Sequence, residues 1–152
     1  MPAPEALSPE VMLVRIDPDL PLPGYARTAD AGADLYARTG AVLEAGGGRA
    51  LVPTGVRLAI PPGYAGFVQP RSGLALRHGV TLVNTPGLID SGYRDEIGVI
   101  LLNTDPGSDF EVRRGDRIAQ LVIQRVEQAH FVTVTDLPDS ERGMGGFGHT
   151  GR

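Results

Sequence analysis

The 152-residue sequence predicts an all-β fold, a sandwich, barrel or jelly roll with at most one short helix. Short β-type runs recur with turn signals between them along the whole chain. The composition includes 21 glycines and 13 prolines, which suits many tight turns. No stretch of about a dozen residues carries a helical apolar period.

The runs follow in order. Residues 11–16 open the series, and residues 50–52 and 55–60 read as two strands separated by Pro53 and Thr54. In the second of these, Leu58 and Ile60 alternate with other residues as a strand with one core-facing side requires. Pro61-Pro62-Gly63 turns the chain into 65–69, with Phe67 at its centre. Residues 73–78 are the one place for a helical turn. Residues 80–83 and 97–102 read as buried strands of a hairpin, in which Pro86, Gly87, Ser91 and Gly92 supply turn chemistry. Asp105-Pro106-Gly107 precedes a run at 110–112, and Arg114-Gly115-Asp116 leads into 118–126, where Leu121 and Ile123 alternate. Residues 131–134 form the last expected strand. Together these make one globular domain over residues 1–137, with 1–10 disordered. A glycine-dense tail follows at 138–152, unable to fold alone and suited to ordering over a ligand.

Composition excludes several functions. The chain has no cysteine, hence no disulfide framework or thiolate metal site, and its three histidines are scattered. A net charge of -4 argues against a duplex nucleic acid or an anionic membrane as partner. No apolar stretch is long enough to span a bilayer and the start lacks a secretory pattern, so a cytoplasmic protein is expected. Every basic residue is arginine. Without lysine there is no Walker-type phosphate loop. Gly143-Met144-Gly145-Gly146-Phe147-Gly148 matches a dinucleotide fingerprint by letter, but it lacks the preceding strand and following helix that give the motif its mechanism.

Five segments carry chemistry. Between Asn84 and Ile97 the hairpin presents an amide (Asn84), a carboxylate (Asp90) and a phenol (Tyr93) on a rigid support. Alone, Asp90 in Asp-Ser-Gly also reads as an ordinary turn carboxylate bonded to nearby backbone. Gln69-Pro70-Arg71-Ser72-Gly73 joins a strand to the helical turn, uniting a guanidinium, a hydroxyl and free N–H groups suited to phosphate; a Ser N-cap beside a surface arginine explains the same letters. Ala31–Leu35, which contains Asp34, and Gly115–Leu121, which contains Gln120, read singly as a strand end and a tight turn. In the tail, Arg142 and Phe147 are spaced by glycines.

In this order and spacing the five segments resemble the five motifs of the trimeric dUTP pyrophosphatases, over residues 11–151. The resemblance implies a jelly-roll homotrimer with three active sites at subunit interfaces, each completed by the tail of another chain. It implies Mg²⁺-assisted hydrolysis of dUTP to dUMP and pyrophosphate, which limits uracil in DNA and supplies dUMP for thymidylate synthesis. Asp90 would be the general base that activates water at the α-phosphorus. Asn84 and the backbone of Leu88, Ile89 and Gly98 would read the uracil edge, and Tyr93 would pack under the deoxyribose and exclude a 2′-hydroxyl. Arg71, Ser72, Gly73 and Gln120 would hold the phosphates, Arg142 would close over the γ-phosphate, and Phe147, with Gly148 beside it, would stack on the uracil. Asp34 receives a supporting role. Mg²⁺ would be held by substrate phosphates and waters, with no direct protein ligand. His149 stands where the family usually carries a small hydroxyl residue. The related dCTP deaminases share the hairpin but place a glutamate where this chain has Ile100. A non-catalytic nucleotide-sensing trimer is the alternative outside enzymology.

Overall fold

The chain, described here from a computed structural model, is seen over residues 8–148, 150 and 151. Its strands are β1 (Met12–Arg15), β2 (Ala33–Tyr36), β3 (Ala41–Leu43), β4 (Arg49–Ala59), β5 (Tyr64–Gln69), β6 (Val80–Leu82), β7 (Gly87–Ile89), β8 (Glu96–Asn103), β9 (Phe110–Val112) and β10 (Arg117–Arg125), with one helix, α1 (Ser72–His78), between β5 and β6. One antiparallel sheet has the order β1-β4-β8-β6, a second β2-β10-β5-β7, and β3 pairs with β9 in a small ribbon. Strand β8 shows why this sequence makes a sandwich. Ile97, Val99, Leu101 and Asn103 are buried while the residues between them are partly exposed, the period of two that one inward face demands. Across from it Val68, Ile118 and Leu121 close the same core, which also takes Leu35, Leu43 and Val52. Each such side chain contributes about 1.5–3 kcal/mol on burial. Asn103 is the fully buried polar member, and it is satisfied: its amide donates to the carbonyls of Leu43 (3.0 Å) and Ser108 (2.8 Å).

Several expectations need correction. The two runs split at Pro53 are one strand, β4. Proline is tolerated because the pairing with β8 shifts register between Pro53 and Arg57, a bulge in which Gly55 takes φ 76°. Residues 131–134 are not a strand. Phe131, Val132 and Val134 are exposed, because past Arg125 the chain leaves both sheets and finds no edge to pair with. The hairpin at 84–96 is more than a turn. Although β6 and β8 pair directly, Gly87–Ile89 crosses to the other sheet and pairs with Gly66–Val68 of β5. Of the expected disordered start, residues 1–7 lie outside the described residues, as does His149; residues 8–10 have no regular structure. No helix among the described residues is long and apolar enough to cross a membrane.

Candidate active site

The predicted residues fall into three groups. The first gathers at the ends of β2, β5 and β10. Asp34 on β2 is almost buried, its side chain 8% exposed, and it faces three donors: Gln120 Nε2 at 3.4 Å, Arg117 Nη1 at 3.6 Å and Arg71 Nε at 3.8 Å. Register explains the convergence, because Gln120 on β10 lies opposite Asp34 on one side and Gln69 on the other, two residues before Arg71. Gly32 leaves room for the glutamine: a Cβ there would stand 3.0 Å from that of Gln120. Arg71 is the residue capping α1, in extended conformation, and Ser72 is already helical, so the alternative of a serine cap does not hold. The first helical bond runs from Ala75 N–H to Arg71 C=O. The N–H groups of Ser72 and Gly73 therefore have no partner within the helix. Two guanidiniums, an amide and these N–H groups form a surface suited to an anion, with Asp34 as the shared counter-charge of the two arginines.

Arg117 joins this group through the fold rather than through any sequence signal. It lies within Gly115–Leu121, but only the pairing of β10 with β2 shows that its guanidinium shares Asp34 with Arg71, while its carbonyl accepts Arg71 Nη1 at 3.3 Å.

The second group is the crossing segment. Asn84 follows β6 and packs against Gly87, whose Cβ would stand 3.3 Å from the Asn84 amide nitrogen. Leu88 and Ile89 belong to β7, with Asp90 exposed just beyond. A tight turn bonds Tyr93 N–H to the Asp90 carbonyl (3.1 Å), and the Tyr93 hydroxyl donates to the Glu96 carbonyl (3.0 Å). Tyr93 and Gly98 line one groove of about 340 Å³ with Leu51, Pro53, Asp95 and Glu96. A Cβ on Gly98 would come within 2.6 Å of Cδ1 of the exposed Leu51, the end of a side chain that is free to turn aside.

Asp90 and Arg71 are far apart in one chain. Ile89 lies opposite Gly66 on β5, and Arg71 is five positions further along, roughly 16 Å at about 3.3 Å per residue.

The third group is the tail. Arg142 Nε donates to the Gly145 carbonyl at 2.7 Å, and Phe147 is fully exposed with φ 51°. Among the described residues, the hydrogen bonds made by 138–151 stay within that segment.

Charge is organised around the hairpin exit as well. Arg38 grips Glu96 through two bonds of 2.7 Å, and this contact raises the guanidinium's already high pKa further. Asp17 accepts from Arg114, which pulls its carboxyl below the ordinary value.

A family model described as dUTPase matches residues 19–151. The deoxyuridine 5'-triphosphate nucleotidohydrolase of Thermobifida fusca is 62% identical over 141 residues, covering 93% of this chain and 78% of that protein. That of Streptomyces coelicolor is 59% identical over 143 residues, covering 93% and 77%. Among solved structures, the dUTPase of Staphylococcus bacteriophage 80alpha with dUpNHpp superposes with a TM-score of 0.86 at 25% identity, covering 94% of this chain and 99% of that one. A mutant dUTPase from phage phi11 of S. aureus, described with a structural Mg(II) ion, shares the fold, with a TM-score of 0.78 at 22% identity over 86% of this chain and 99% of that one.

Proposed function

The chain belongs to the dUTPase family, and we propose that it hydrolyses dUTP to dUMP and pyrophosphate at sites shared between the subunits of a homotrimer. The observation that carries the shared site is the separation of the two polar groups along β5. A triphosphate is too short to bring its α-phosphorus to Asp90 and its phosphates to Arg71 of the same chain across that distance, so complementary groups from different copies fit better. The exposed apolar residues at 131–134 and the outward tail support the same reading.

In the assembled site Asp90 takes a proton from the water that attacks the α-phosphorus, and pyrophosphate leaves. Asn84 and the backbone of Leu88, Ile89 and Gly98 select uracil. Tyr93 fills the place of a 2′-hydroxyl. Arg71, Ser72, Gly73 and Gln120, joined by Arg117, neutralise the phosphate chain, with Asp34 fixing the cations rather than touching substrate. Residues 138–152 act as a separate closing tail on the domain at 1–137, bringing Arg142 to the γ-phosphate and Phe147 with Gly148 to the base. Mg²⁺ fits this donor set as an ion carried by substrate: Asp34 is occupied by arginines, and no three His, Asp or Glu converge among the described residues. Bound there, it supplies charge neutralisation on the phosphates. Such an enzyme would work in the cytoplasm, keeping uracil out of DNA and providing dUMP.

Complementation tests the proposal. Arg71→Ala and Asp90→Asn should each be nearly inactive in pyrophosphate release. Mixing and reassembling the two variants should restore activity, because some sites then draw both groups from intact copies. No recovery would overturn the shared site. Ammonia release from dCTP would overturn the substrate.

A further inference from the structure

We propose that Arg38 is a positioning residue for sugar selection: by clamping Glu96 it fixes Tyr93 in the nucleoside groove and withholds the Glu96 carboxylate from a ribose 2′-hydroxyl. The proposal rests on the dUTP-hydrolysing reading above and names residues to which that reading gives no role.

Glu96 opens β8 three residues after Tyr93, and its own carbonyl receives the Tyr93 hydroxyl at 3.0 Å. Wherever the Glu96 backbone sits, the phenol follows. That backbone is held by the pairing of β8 with β4 and, at this end of the strand, by the Glu96 side chain. Oε1 accepts Arg38 Nε (2.7 Å) and the N–H of Gly55 in the β4 bulge (2.8 Å), and Oε2 accepts Arg38 Nη2 (2.7 Å). Arg38 is anchored in turn, its N–H donating to the Pro53 carbonyl (2.8 Å) and its carbonyl accepting from Arg114 Nη1 (2.9 Å). A chain of contacts thus runs from the loop after β2 to the tyrosine.

The second half of the argument is chemical. Glu96 lines the groove beside Tyr93 and Gly98. An ionised carboxylate is an acceptor with several lone-pair sites. Loose in a nucleoside groove, it would welcome the extra hydroxyl of a ribose and so favour the wrong sugar. The planar fork of Arg38, with Gly55, occupies both oxygens in a geometry that lysine cannot reproduce.

The test is the ratio of kcat/KM for UTP to that for dUTP, which does not depend on the fraction of enzyme folded. Arg38→Ala should raise this ratio about tenfold or more, chiefly through KM, with kcat for dUTP within about threefold of wild type. Arg38→Lys should fall between. Adding Tyr93→Phe to Arg38→Ala should relax selectivity less than the two single effects combined, since both act through one contact. If Arg38→Ala does not fold, Glu96→Gln carries the test of the tyrosine contact, because an amide cannot accept the fork on both sides; the ratio should rise, but less than for Arg38→Ala, since no carboxylate is freed. An unchanged ratio in the folded variants, with stability alone reduced, would overturn the proposal. A wild-type protein that leaves dUTP intact would instead overturn the functional reading beneath it.

Discussion

Deleting residues 138–152 separates stability from turnover. Of the described residues in this stretch only Gly145 and Gly146 are even partly covered, and its hydrogen bonds are internal. Its removal should therefore change stability by no more than about 0.5 kcal/mol, the range of surface changes that touch no core. For a chain of this size that is a shift in Tm of about 2 °C. The chemical loss is of another order. If Arg142 meets the γ-phosphate as charge develops, its absence should lower kcat by about 10²–10³-fold, or ~3–4 kcal/mol of barrier. Thermal melting and sedimentation would report an unchanged core and assembly, while pyrophosphate release at saturating dUTP would report the fall. Full turnover in the truncated protein would refute the closure model. A collapse of Tm would refute the view of the tail as external to the core.

Three further outcomes follow from the packing and the charges. Asp34→Asn should raise KM for dUTP about tenfold and cost about 1–3 kcal/mol of stability, because Arg71 and Arg117 lose their shared counter-charge and an amide NH2 takes the place of one acceptor oxygen; unchanged KM in steady-state assays would remove Asp34 from the phosphate site. Leu101→Ala, at a side chain 1% exposed, should cost about 2–5 kcal/mol in denaturant melts while leaving kcat per folded enzyme intact. Asp17 has its carboxyl lowered by Arg114, so its contribution is present above its unfolded pKa and is lost as pH falls through the folded one. Asp17→Asn should accordingly be less stable than wild type at pH 7, and the gap should begin to narrow as pH falls below about 4 in acid melts.

Much of this architecture was legible because burial writes itself into alternation. Residues 97–102 and 118–126 came out nearly where β8 and β10 lie, and 73–78 marked α1 within a residue. Strand β7 escaped because it is a strand only by virtue of β5 beside it, and β3 because it is a strand by virtue of β9, whereas the equally short β9 is announced by Asp105-Pro106-Gly107 before it. Phe131, Val132 and Val134 misled for the complementary reason: β propensity states a preference for a pleated surface, and a single chain offers these residues none. At the candidate site, the letters of the five segments sufficed to select Asp34, Arg71, Asp90 and Gln120 as residues of interest. Arg117 and Arg38 needed three dimensions, since the first matters through a carboxylate 83 positions away in sequence and the second through one 58 positions away.

The crossing of 84–96 from one sheet to the other has a thermal consequence. A segment bonded into both layers opens only when the layers part, so the ladder amides of Gly87–Ile89 should exchange with solvent by global unfolding. The tail, by contrast, is free to dock and release far below that point. If the tail closes as proposed, such a protein slows before it errs on warming: docking weakens first and rate declines, whereas the backbone proposed to read the base keeps its shape until the sandwich melts.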